Sequence, residues 1–170
     1  MSGSAEAAKA IYDEVTKALD SGKLKRTTRA FNECGPGNDL ARALALDSRK
    51  RARFDARSTG IEGASLSYSY YFVTDGKLRY GLINGASEAG GLIEVRIGFA
   101  PDGTRVSETH VTLAGPPYPF PDAWPQGDFQ VKDPQALYAA PNACGEQAPA
   151  PTPTGTPKAK PMASPVAKPQ

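Results

Sequence analysis

In "SAEAAKAIYDEVTKALDS", residues 4–21, Ala8, Ile11, Val15, Ala18 and Leu19 recur at helical spacing and form one apolar stripe. This predicts an amphipathic helix capped by Ser4, favoured in its first turn by Glu6 and stopped by a left-handed Gly22. Asp13 and Lys17 stand one turn apart on it. The pattern then loosens. In "KLKRTTRAFNECGPGN", Thr27, Thr28 and Phe31 permit a short strand, and Gly35-Pro36-Gly37 is a break. Asn38 followed by "DLARALALD" predicts a second, short helix with Leu40 and Leu44 on one face.

From "RKRARFDARS" onward the period is two. Lys50, Ala52, Phe54 and Ala56 fall on one side. Arg49, Arg51, Arg53, Asp55 and Arg57 fall on the other, which predicts a strand with an arginine-rich solvent face. "SLSYSYYFVTDGKLRYGLI" is a hairpin. Leu66, Tyr68, Tyr70 and Phe72 share one parity before the turn; Leu78, Tyr80 and Leu82 share one after it. A two-residue Asp-Gly loop sets these two groups on opposite faces. A three-residue loop, Thr74-Asp75-Gly76 with Gly76 left-handed, pairs Phe72 with Leu78 and Tyr70 with Tyr80 and collects them on one face. Tyr71 then points outward with Val73 and Arg79. A second hairpin, "LIEVRIGFAPDGTRVSETHVTL", puts Ile93, Val95, Ile97 and Phe99 on one face and turns at Pro101-Asp102-Gly103. Its return from Arg105 reads as a charged edge strand. The same register sets Arg96 opposite Glu108 and Glu94 opposite His110.

The expected fold is therefore α+β: N-terminal helices on a four- to five-stranded antiparallel meander. "AGPPYPFPDAWPQGDF" is too rich in proline for a central strand and predicts an extended strap over the surface. "QALYAAPNAC" adds a last helical turn. Residues 1–145 make one domain. Residues 146–170, "EQAPAPTPTGTPKAKPMASPVAKPQ", lack aromatic residues and carry a proline every few positions, so a disordered tail is expected.

The paired hairpins, "YYFVTDGKLRYGLINGA" and "IEVRIGFAPDGTRVSET", resemble those of uncharacterised secreted bacterial proteins. These have an N-terminal helix and aromatic, Asp-Gly-Lys-Leu-Arg-type β-meanders. The resemblance extends over roughly residues 5–145. It implies an envelope or extracellular setting and no activity.

Composition narrows the functional classes. Net charge is +2, which selects no partner. The cations are unevenly spread: ten of the 20 Lys and Arg residues lie between Lys23 and Arg57, against four acids. An electropositive stripe of Arg49, Arg51, Arg53 and Arg57 suits nucleic acid, anionic lipid or acidic polysaccharide. Against that, no aromatic residue interleaves it and no nucleic-acid motif is visible. The bland alternative is a solvated strand face. In the strap, Tyr118, Phe120 and Trp124 are either anchors for a docked partner or rings packed over an open end of the sheet.

Cys34 and Cys144 are either two free thiols or one disulfide, and the second choice implies an oxidising compartment. Two cysteines and one histidine are too few for zinc, so no metal and no cofactor are expected. His110, with Glu94 to orient it, is the one candidate general base; Ser107, Thr109 or Thr112 would be the nucleophile of a hydrolase. No Gly-x-Ser-x-Gly and no phosphate loop occurs. No apolar run is long enough to cross a bilayer. "MSGS" fits an expression scar, a start placed after a removed signal peptide, or a native cytoplasmic start. The expected function is a non-catalytic envelope or secreted module that binds a protein or an envelope polymer. The alternative is polyanion binding through the arginines, and hydrolysis at His110 is third.

Overall fold

A computed structural model describes residues 2–148, so residues 149–170 of the expected tail lie outside the described residues. Helix α1 runs Ser2–Asp20. It is followed by seven strands: β1 Lys25–Ala30, β2 Asp39–Leu46, β3 Ala52–Ile61, β4 Ala64–Phe72, β5 Leu78–Ser87, β6 Leu92–Phe99 and β7 Arg105–Ala114. The strands pair antiparallel in chain order, each with the next, in one seven-stranded sheet. The α+β class and the meander stand. The strand number is seven, above the four or five expected, and the N-terminal helix is one.

The difference lies in "DLARALAL", which is β2 and not a helix. Its residues favour helix intrinsically. Yet Ala41, Ala43 and Ala45 alternate with Arg42, Leu44 and Leu46, and the interior of the strand, Arg42 to Ala45, is buried. Packing on both faces outweighs propensity, which amounts to a few tenths of a kcal/mol per residue.

The sheet is covered on both sides. On the helix side, Ala8 and Val15 of α1 bury against Phe54, Tyr71, Tyr80 and Ala45, with Ile11, Tyr12, Ala18 and Leu19 partly buried around them. The helix begins ahead of Ser4 and ends before Gly22, whose φ of 74° is the left-handed stop. Its ion pair is Lys9–Asp13 rather than Asp13–Lys17. On the other side lies the larger cluster: Leu66, Tyr68, Tyr70, Phe72, Ile83, Val95, Ile97 and Phe99, closed by Trp124 and Phe129 of the proline strap. Burying each such ring contributes ~1.5–3 kcal/mol.

The first hairpin turns as the pattern requires. Val73 and Lys77 close a three-residue loop, Gly76 sits at φ 85°, and Phe72 pairs with Leu78. One residue later the register slips, so that Tyr71 pairs with Tyr80 and Tyr70 with Gly81. Arg79 is the extra residue of that bulge, and its guanidinium donates to the Phe99 carbonyl. The bulge exchanges the faces of the later residues of β5. Tyr71 therefore does not point to solvent; it is 6% exposed and lies with Tyr80 against Tyr12 of α1. Burial pushes its phenol up to about 12.

The same exchange turns Gly81 and Gly85 toward the strap. A Cβ on Gly81 would stand 2.7 Å from the Phe129 ring, and one on Gly85 would stand 2.8 Å from Phe120. These two positions are hollows into which the strap's rings sink. The strap ends in a 3-10 turn, Gln126–Phe129, and a short helix α2, Pro134–Ala139, follows it. The last described residues return to β1. Gln147 donates to Ala30, Asn32 donates to Gly145, and Cys34 is bonded to Cys144 across 110 residues. No described helix is long and apolar enough to cross a membrane.

Candidate functional site

The strand register sets Arg29 beside Arg42 and Arg42 beside Arg57, with Tyr68 next in the row. Like charges directly opposite on neighbouring strands destabilise a sheet unless each finds a counter-charge. Two of the three do. Arg29 bonds Glu146 at 2.6 Å and also donates to the Tyr138 carbonyl. Arg42 bonds Asp39 at 2.6 Å and donates to the carbonyls of Leu137, at 2.9 Å, and Ala140, at 2.6 Å. Those carbonyls close the C-terminal end of α2, where unpaired C=O groups and the partial negative charge of a helix end collect. Asp133 caps the other end by accepting from the Ala136 amide, and Pro134 opens the first turn. The arginine row thus fixes α2 over β2 and β3.

Arg57 is the third, and it makes no salt bridge among the described residues. Its guanidinium lies over the Tyr68 ring, 4.7 Å from the centroid. Burial opposes its charge, but Tyr70, Asp39 and Tyr68 outweigh that, and the group stays cationic. It lines a cleft of about 260 Å³ between the sheet, the 3-10 turn and α2, with Tyr70, Asp128, Val131, Lys132 and Leu137 among the walls. The carboxylates of this cleft are committed elsewhere. Asp128 accepts from the Trp124 indole at 3.0 Å and from the Tyr68 hydroxyl at 3.4 Å, while its carbonyl takes the Tyr70 hydroxyl at 2.7 Å. Asp133 is the cap of α2.

Beneath the cleft is Asp55, opposite Leu44 on one neighbouring strand and Tyr70 on the other. It is 2% exposed, and its Oδ2 has no hydrogen-bond partner. Burial pushes its pKa up to about 7; Arg57 opposes the rise, Asp39 adds to it and Arg42 opposes it. Below neutral pH the carboxyl holds its proton and gives Arg57 no counter-charge.

The sequence-predicted residues are dispersed. Arg49 is exposed in the β2–β3 turn, and Arg51 bonds Asp47 at 2.7 Å. Arg53 is buried, bonding Glu14 of α1 at 2.7 Å and the Phe72 carbonyl at 2.9 Å. With Arg53 and Asp55 buried, the predicted arginine-rich solvent face does not form, and Arg57 alone of the four lines the cleft. Trp124 is 3% exposed and packs edge-on against Tyr68. Phe120 fills the hollow at Gly85, and Tyr118 donates to the Glu62 carbonyl.

His110 does not face Glu94. A bulge between Gly98 and Phe99 shifts that ladder, so Glu94 opposes Val111 and Arg96 opposes Thr109. Exposed His110 instead bonds Glu108, at 2.7 Å. Burial pushes Glu108 up, but hydrogen bonds from His110, the Trp124 amide and Arg105 outweigh it and hold the carboxyl below its ordinary range. No hydroxyl is hydrogen-bonded to His110 among the described residues. Among those residues, too, no group of three or more His, Cys, Asp or Glu could hold a metal ion.

Tyr70, Asp128 and Lys132 carry no sequence signal for a site. Asp55 carries a faint one, as the lone acid among the alternating arginines. Comparison with known proteins gives no matching family model, no matching curated protein and no matching solved structure.

Proposed function

We propose that this chain is a non-catalytic accessory module of an oxidising, extracytoplasmic compartment, binding its partner at the cleft between strap and sheet. One observation carries this. Arg57 is a half-buried cation with no salt bridge among the described residues, set in a preformed hollow whose own acids are hydrogen-bonded elsewhere. Such a group has lost hydration and recovers only part of it, from Asp39 at a distance and the Tyr68 and Tyr70 side chains, so an oxygen ligand from a partner can complete its coordination. The Cys34–Cys144 disulfide is consistent with a periplasmic or extracellular location.

The test is capture of the partner by cross-linking in the native envelope fraction, comparing the full chain with its Arg57→Met variant. Capture should fall with Arg57→Met while the melting temperature shifts by no more than a few degrees. Undiminished capture refutes the reading.

Polyanion binding through arginines remains a second proposal in altered form. Lys23, Lys25 and Arg26 at the start of β1, and Arg49 and Lys50 in the β2–β3 turn, are all exposed. Lys25 pairs with Leu46, which brings the two groups to the same end of the sheet. Retention on heparin that falls steeply with salt, and falls further in a Lys25→Glu, Arg49→Glu variant, would favour this corner over the cleft.

A further inference from the structure

The ligand class of the cleft is set by its lining residues, on the premise that the cleft is the binding site. We infer that the cleft takes a single small oxyanion, a carboxylate or phosphate head group with a short apolar body, held by the Arg57 guanidinium. A planar guanidinium presents paired N–H donors whose spacing matches two oxygens of one oxyanion, and it binds them bidentately. Tyr68 under its face holds that plane, so little side-chain freedom is left to lose on binding. Lys132, exposed on the wall, adds a second positive charge.

Two acids share the cleft wall, held by neutral donors that leave their charge in place: one oxygen of Asp128 accepts from Trp124 and Tyr68, and one of Asp133 from the Ala136 amide. The two cations Arg57 and Lys132 match them in number, so the cleft selects its ligand by the fork of the guanidinium and not by net charge. Arg29 and Arg42 do not compete for the ligand, because Glu146, Asp39 and the carbonyls at the end of α2 occupy them. Size sets the rest. About 260 Å³ is below the ~300–1,000 Å³ of pockets for drug-sized ligands. Val131 and Leu137 offer apolar surface to only a few carbon atoms. A folded polymer or a helix does not fit, while one end group does.

The experiment titrates the full oxidised chain with sodium acetate and, separately, with inorganic phosphate, at constant ionic strength held with chloride. It tracks the Arg57 Nε–H and the Val131 and Leu137 methyl resonances. Saturable shifts confined to these residues and their neighbours are expected. Saturation by acetate alone assigns a carboxylate end; saturation by phosphate alone assigns a phosphate-bearing head group. Arg57→Met should weaken binding at least about tenfold, and Lys132→Gln severalfold. Should Arg57→Met fail to fold, Arg57→Lys carries the test: it keeps the charge, loses the fork and should bind severalfold more weakly.

Saturation by neither anion, shifts spread over surface lysines, or affinity unchanged in the Arg57 variants overturns the inference. Loss of partner capture in Arg57→Met without any oxyanion saturation would overturn this ligand class alone. Capture indifferent to Arg57 would overturn the binding-module reading itself.

Discussion

Replacing Asp55 with Asn keeps the side chain's shape and removes its proton equilibrium. In the folded chain burial moves this carboxyl from 3.8 to about 7. A shift of roughly three units corresponds to ~4 kcal/mol at about 1.4 kcal/mol per unit. The sign comes from proton counting. Between about pH 4 and pH 7 the native state keeps a proton that the unfolded chain has released, so stability falls as pH rises through that window. Below it both states are protonated, and above it both are ionised with the native state bearing the full penalty. Asp47, Asp102 and Glu108, whose pKa values are lowered, act in the opposite sense and lose stability as pH falls. They are common to both proteins and cancel in the difference. Asn brings an amide donor that the site leaves unpaired, costing ~1–3 kcal/mol at every pH. The expected result is therefore a slope: Asp55→Asn is less stable than the parent at pH 4 and gains on it by several kcal/mol by pH 8. Urea unfolding of both oxidised proteins at pH 4, 6 and 8 measures it. A stability difference that is flat across that range refutes the argument. One that moves against Asn as pH rises would mean that the folded carboxyl ionises more readily than the unfolded one, with Arg57 as its counter-charge.

Two further outcomes test the frame around the cleft. Gly81→Ala would drive a methyl group to within 2.7 Å of the Phe129 ring, which holds the strap down; a loss of ~1–3 kcal/mol is expected in thermal melts, and no loss would show that the ring is not seated there. Reducing Cys34–Cys144 frees a loop spanning 110 residues and should lower stability by ~4–5 kcal/mol in the chain-entropy account, read as a fall in the urea midpoint with reductant; two free thiols in native protein as isolated would also remove the argument for an oxidising compartment.

Much of the architecture was legible because alternation of apolar and polar side chains is a direct record of burial. The helix stripe, the three-residue turns at Gly76 and Gly103 and the inward row from Ile93 to Phe99 all derive from it. Two kinds of information were not in that alternation. In β2 it was present, as small alanines against larger residues, but alanine and leucine count as helix formers in isolation. Only the layers on both sides, which come from distant parts of the chain, make a buried strand of it. The bulges at Arg79 and Val106 were the other gap. One extra residue moves every later side chain to the other face, and nothing local announces it. The errors at Tyr71, at the Tyr70–Tyr80 pairing and at the Glu94–His110 pairing share that origin. The cleft was hidden for a related reason: Arg57 and Asp128 meet only after the strap has crossed the sheet.

The arginine row connects the fold to the proposed site. Three guanidinium groups side by side on adjacent strands cost energy in any sheet, and the chain offsets the first two with its own last described segment. Arg29 and Arg42 bind the end of α2 and Glu146, and the disulfide then holds that segment on the β1 edge. The same arrangement could have been completed at the third position, since Asp128 and Asp133 both stand in the cleft wall with Arg57. Their carboxylates turn instead to an indole, a phenol and a helix cap, and the nearest buried acid keeps its proton up to about pH 7. A fold that needed only to be stable would gain by neutralising Arg57 or by replacing it with an apolar residue of similar volume. Leaving it charged, flat against Tyr68 and open to a small hollow gives up that stability, and the proposed oxyanion site is the reading under which that loss has a return.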